Sequence, residues 1–213
     1  MAFTINGTAE TAYHLNHIHT EISAPEPKRV TVNIPLADGE LDLTAMMSPI
    51  MRFETRDISL GVELRGQRSD WPAYYMALMS DIHGREVDLI LGDDNSYYWN
   101  GFATVGPLED HGASAGIEIL IKAHPFKRDV TPTTVYSQTI SGDVTTTVTV
   151  TKARGYLTFD TSAADFTVSY DGQTWTLPQG VSTAFGLALP TGTHTLGIHG
   201  AGTIEITMEE GAL

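Results

Sequence analysis

Pro25-Glu26-Pro27-Lys28 begins a continuous stretch that passes Ala37-Asp38-Gly39-Glu40 and closes on Ala123-His124-Pro125-Phe126-Lys127. Its first part, Ile34-Pro35-Leu36-Ala37-Asp38-Gly39-Glu40-Leu41-Asp42-Leu43-Thr44, carries hairpin chemistry at Asp38-Gly39, because Gly admits positive φ and Asp bonds nearby backbone. Alternation follows. From Met51 the apolar positions run Met51 and Phe53, then shift to Ile58, Leu60, Val62 and Leu64. That change of parity predicts a β-bulge near Arg56-Asp57. The interleaved Glu54, Arg56, Asp57, Glu63 and Arg65 mark one face as solvated or inter-subunit.

One helix comes next. Ser69 or Asp70 can cap it, Pro72 fits its first turn, and Gly84 stands where a left-handed residue ends a helix. Trp71, Tyr74, Tyr75, Leu78, Met79 and Ile82 recur at three and four residues, a stripe that packs on a sheet. Arg85 to Leu91 and Tyr97 to Val105 read as the arms of a hairpin about Gly92-Asp93-Asp94-Asn95-Ser96. A further strand carries Ile117, Ile119, Ile121 and Ala123 inward.

This order of elements resembles siphophage distal tail proteins. A P-E-P-K opening, an I-P-x-x-D-G-x-x-D-L-T segment, a long strand, one helix and a terminal strand before P-F all occur in sequence over about residues 1 to 130. The resemblance implies a mainly β chain: an N-terminal β-rich, ring-forming domain with one helix, then a C-terminal galectin-like β-sandwich. It implies a structural protein, not an enzyme, and a homo-hexamer at the distal end of the tail. That ring would join the tail tube protein to the tail tip or hub protein, contact a receptor-binding protein, and surround the DNA passage. The chain would be made in the host cytoplasm and reside in the virion.

Composition changes after Arg128, where Asp129-Val130-Thr131-Pro132-Thr133-Thr134 leads into Thr-rich sequence without helical period. The boundary is set there, giving domains 1–130 and 131–213. Turn signals at Ser141-Gly142-Asp143, Asp171-Gly172, Leu177-Pro178-Gln179-Gly180, Pro190-Thr191-Gly192 and His199-Gly200-Ala201-Gly202 predict short strands in a small sandwich.

Twenty-six acids against twelve bases give a formal charge of −14, which repels phosphate and argues against sequence-specific nucleic-acid binding. Both parts are acidic: 10 bases minus 19 acids is −9 before residue 131, and 2 minus 7 is −5 after it. With no cysteine, neither disulfides nor thiolate metal sites form, and no cofactor is expected. The start of the chain lacks a basic, then apolar leader, and no apolar run approaches the ~20 residues a spanning helix needs, so neither export by its own signal nor membrane insertion is expected.

Four constellations invite other chemistry. Gly112-Ala113-Ser114-Ala115-Gly116 matches a nucleophile elbow, but that motif needs a helix after the serine, and β-rich sequence follows. His14, His17 and His19 do not converge on a regular strand, where His17 and His19 share a face and His14 opposes them. Asp93-Asp94 and Glu109-Asp110 read as solvated loop charge. Tyr170 and Trp175, with Phe185, are candidate carbohydrate contacts on the sandwich, the basis of an alternative reading as a carbohydrate-binding protein assisting host attachment. For assembly, the segment from Ile34 to Met47 reads as an inter-subunit or ring-lining extension, against an ordinary core hairpin, with Leu41, Leu43, Met46 and Met47 as its candidate inter-subunit residues, an apolar set beside the Asp38-Gly39 turn.

Overall fold

The computed structural model describes residues 2–35, 38–47, 50–112 and 114–213, with the side chains of Ala45 and Met47 outside the described set. The chain is mainly β and divides into two compact units, Met1–Lys127 and Arg128–Leu213.

The first unit contains β1 (Phe3–Ile5), β2 (Thr8–Ala9), β3 (Leu15–Ile22), β4 (Thr31–Asn33), β5 (Glu40–Asp42), α1 (Thr44–Met47), β6 (Arg56–Leu64), α2 (Trp71–Ile82), β7 (Glu86–Leu91), β8 (Tyr97–Val105), β9 (Glu109–Asp110) and β10 (Ala115–Ala123). Antiparallel pairing gives the sheet order β2-β1-β7-β8-β10-β6-β3, with β9 added beside the start of β10. Alternation explains its faces. Ile58, Leu60 and Val62 on β6, Ile117, Ile119 and Ile121 on β10, and Val87 and Leu89 on β7 all point inward, where Trp71, Leu78 and Ile82 of α2 join them. Each such side chain contributes about 1.5–3 kcal/mol by leaving water. The opposite face of the sheet is open and carries Asp57, Glu118, Phe102 and Lys122 in exposed positions.

The helix matches its sequence signals in span, with Pro72 in the first turn and Gly84 at φ +69 just beyond the end. Asp70 occupies the capping position without a side-chain cap bond. The parity change at Arg56-Asp57 is not a bulge. Phe53 belongs to a separate bridge with Pro27, and β6 runs from Arg56 in unbroken register with β10. The bulge lies in β3 instead, between His17 and His19. Arg56 itself is buried, its guanidinium 4.6 Å above the Trp99 ring, and burial depresses its pKa.

The division falls within β11 (Lys127–Asp129), and the second unit continues through β12 (Thr133–Thr161), β13 (Phe166–Tyr170), β14 (Gln173–Leu177) and β15 (Gly180–Ala212). β12 and β15 form one long antiparallel ribbon, from Thr133↔Met208 through Val150↔Gly192 to Thr161↔Gly180. The ribbon folds over, so that Arg154 to Thr161 also pair with 204–211 along their other edge. The result is a sandwich. One layer has the order 180–190, 154–161, 204–211, 133–139; the other has 143–150, 192–200, β13, β14. Phe159, Phe166, Val168, Leu189, Ile198 and Ile206 are buried in its core.

The expectation of many short strands is therefore corrected. Ser141-Gly142-Asp143, Pro190-Thr191-Gly192 and His199-Gly200-Ala201-Gly202 lie inside β12 and β15 and bend the ribbon without reversing it. Gly142 at φ +103, Gly192 at +129 and Gly202 at +133 supply the backbone for those bends. A Cβ at Gly200 would stand 2.5 Å from the Phe166 ring, so the ribbon crosses that core residue only as glycine. Asp171-Gly172 does reverse the chain, both at positive φ, between β13 and β14.

Candidate assembly surface

The stretch quoted first builds an arm. Backbone bonds close it from root to tip: Ser23 N donates to Asp57 O at 3.0 Å, Glu54 N to Glu26 O at 2.7 Å, Lys28 N to Arg52 O at 2.8 Å and Leu43 N to Val30 O at 2.8 Å. At the tip β4 and β5 form their own two-stranded sheet, with Val32 opposite Leu41. Val30 N donates to the Thr44 hydroxyl oxygen at 2.9 Å, and Thr44 N donates to Asp42 Oδ1 at 2.8 Å. Hydrogen bonds from the Thr44 hydroxyl and then its amide hold the Asp42 carboxyl below its usual range.

Six of the fifteen large apolar side chains that are exposed among the described residues lie here: Val30, Val32, Ile34, Leu41, Met46 and Met51. Among the described residues, that concentration makes the arm the main exposed apolar segment of its unit. Leu41 is 48% and Met46 84% exposed, and Leu43 is half-buried. Met47 ends α1, but its side chain lies outside the described residues, as do Leu36 and Ala37 of the hairpin motif. Sequence reading named the segment from its turn and its Leu and Met pairs. It missed Val30 and Val32, which precede the segment and whose alternation is visible in the sequence but is indistinguishable there from that of a core strand.

The other constellations separate. Ser114 leads straight into β10, a strand where a nucleophile elbow requires a helix, while Ala113 lies outside the described residues. His14 stacks on Tyr74 at 3.8 Å between centroids, and His17 Nε2 lies 2.7 Å from the Thr20 hydroxyl. Because of the bulge, His17 pairs with inward Val62 and His19 with outward Gly61, so the two do not share a face. His19 instead lies in an open groove of about 340 Å³ with Glu63, Glu109, His111 and Glu118. Among the described residues no three such groups are placed to hold a metal.

In the second unit Tyr170 and Trp175 stand on adjacent strands, both half-buried against the core. The Tyr170 hydroxyl lies 3.0 Å from His194 Nδ1, while His194 Nε2 donates to Pro190 O at 2.7 Å. Burial raises the Tyr170 pKa. Trp175 Nε1 donates to Phe185 O at 2.9 Å.

No protein-family model matches the sequence, and no curated protein matches it significantly. Solved structures do match. The Dit (gp 19.1) protein of SPP1, described as a paradigm of the hub adsorption apparatus in phages that infect Gram-positive hosts, aligns over 100% of this chain and 99% of its own. The TM-score is 0.59 at 16% identity. The chain has the fold of SPP1 Dit. A chain of the phage p2 baseplate in its activated conformation aligns over 98% of this one and 97% of its own, with a TM-score of 0.47 at 7% identity. The mainly β fold, shared with SPP1 Dit, agrees with the fold expected from the sequence.

Proposed function

We propose that this chain is a structural component of a phage tail: a homo-hexameric ring at the distal end, joining the tail tube above to the tip or hub protein below and surrounding the DNA passage. The observation that carries the reading is the end-to-end correspondence with SPP1 Dit, in which both units are matched in one alignment. The first unit, extending to about residue 130, forms the ring. Its arm, with Leu41, Leu43, Met46 and Met47 near the tip, reaches a neighbouring copy or lines the ring. An isolated two-stranded hairpin is marginal in water, and burying its apolar residues against another subunit would stabilise it. Heterologous contacts of this kind close into rings when the rotation permits. The second unit lies at the periphery and faces a receptor-binding or baseplate component.

The bore is acidic or neutral, since a basic wall would gain affinity at each phosphate it neutralised and hold the genome. Lys28, Arg29, Lys122, Lys127 and Arg128 then lie outside it or in contacts. Lys28 pairs with Glu54 at 3.4 Å, Lys127 with Asp94 at 2.6 Å and Arg128 with Glu209 at 3.9 Å, so three of these charges are already answered within the chain. Particle images and the solution mass of fragment 1–130 beside the full chain test the division of labour. Rings from both support it; rings from the full chain alone refute it.

A further inference from the structure

Phe185 is 96% exposed, although its neighbours Ala184 and Leu187 are buried in the sandwich core. The register explains how. Thr183 pairs with Thr158 and Ala188 with Tyr156, so the residues between are bulged out opposite Leu157. Gly186 at φ +80 turns the bulge, and Trp175 Nε1 bonds the Phe185 carbonyl at 2.9 Å from the edge of the other layer. The ring is thus displayed on a backbone fixed at three points, which lowers the entropy lost on binding.

Its surroundings specify a partner. Alternation puts Val181, 73% exposed, on the same side as Phe185. Val181 is opposite Asp160, and Asp160 is opposite Glu205 on the next strand. Two carboxylates directly across a ladder repel each other. Among the described residues neither forms an ion pair, and Glu205 takes a single hydroxyl bond from Thr134 at 3.1 Å. The bases of the unit are committed elsewhere: Arg128 to Glu209, Lys152 to Asp129, and Arg154 to burial.

We propose that Phe185, Val181, Asp160 and Glu205 form the docking surface of the second unit for a basic protein, which receives the phenyl ring in an apolar socket and sets a Lys or Arg against the two carboxylates. A protruding ring four residues along the strand from Val181, which is opposite a carboxylate without an ion pair, is the form of an interface anchor with a charged rim. A sugar platform would need a ring face flanked by free hydrogen-bonding groups, and the polar ends of Tyr170 and Trp175 are taken. The proposal rests on the tail reading only for where the partner is sought.

The test uses the purified full chain and, one by one, the purified products of the genes flanking its own, with binding measured at low and high salt. One product is expected to bind, more weakly as salt rises. Phe185→Ala should weaken it by about tenfold or more. Asp160→Lys should weaken it most at low salt, and Trp175→Phe, which removes only the indole donor, should weaken it less than Phe185→Ala. Unchanged melting of Phe185→Ala shows that the fold is intact, as expected for an exposed ring. No bound product, equal binding by Phe185→Ala, Phe185-dependent binding of cell-wall oligosaccharide, or loss of self-association in Phe185→Ala would each overturn the proposal. Particle images of the same samples read the ring separately. Rings without a bound product overturn the docking surface alone, whereas a bound product without rings upholds it and overturns the ring.

Discussion

The arm of the first unit and the bulge of the second both expose apolar side chains, but they are built in opposite ways. The arm spreads six such residues along a narrow hairpin whose hydrogen bonds beyond the root are its own. The bulge shows one ring, and its backbone is pinned by two buried neighbours and an indole donor. Area spread over a marginal element suits a contact that forms as the protein assembles and is then permanent, since the element gains its order from the partner. A single fixed anchor suits a contact between finished parts. On the proposed reading, the same chain carries one surface for its own copies and another for a different protein.

The sharpest way to break this comparison is to charge the arm. Leu41→Glu with Val32→Lys, a cross-strand pair of opposite charge, should abolish rings entirely while leaving monomer stability within about 0.5 kcal/mol, because both side chains are exposed and the new charges attract each other across the ladder. Particle images and thermal melts of one preparation read both outcomes. If the double variant still forms rings, the arm is not the assembly surface.

A second substitution asks whether the bulge depends on the sandwich beneath it. Phe166→Ala removes a fully buried ring under the Gly200 crossing and should destabilise the second unit by about 3–5 kcal/mol. Calorimetry should show one transition lowered and the other in place, with ring formation retained. Rings lost with that variant would show the two surfaces to be coupled.

Gly186→Ala is smaller in effect. At φ +80 a side chain costs about 1–2 kcal/mol, and nothing crowds the position, so the loss is backbone strain alone. Chemical denaturation should report that loss, together with weaker docking as the bulge relaxes.

The smallest effect is alkaline. Burial first, and then the hydrogen bond to Asp81, raises the Tyr13 pKa to about 12. The folded chain therefore holds this proton more tightly than the unfolded one, whose tyrosine titrates near 10. Its stabilising contribution is whole below pH 10 and declines as pH rises toward 12. Tyr13→Phe should flatten that decline in the first unit's transition and leave the second unit's unchanged, as melts between pH 9 and 12 would show.

What was legible in the sequence follows from how far each signal reaches. Strict alternation in β7, β8 and β10 and the three-and-four spacing of α2 report a local face, and the strands and helix stand where those patterns put them. Glycine reports only that the backbone must do something unusual. At Asp171-Gly172 it reverses the chain, whereas at Gly142 and Gly192 it bends a strand that continues, and the difference lies in partners dozens of residues away. The bulge in β3 was invisible for the same reason, since Ile18 is extra only by comparison with β6. The Leu and Met pairs of the arm could be named from their turn. Phe185 could be seen as an aromatic, but its exposure depends on a register between β12 and β15 that no local pattern records.

The function proposed for this chain depends on its closing on itself through the first unit. The solution mass of the full chain, taken with particle images of the same sample, tests it most directly. Closed hexameric rings with the second units outside, lost on charging Leu41 and Val32, are the expected result. A chain that remains a monomer, or rings indifferent to that double substitution, would contradict it.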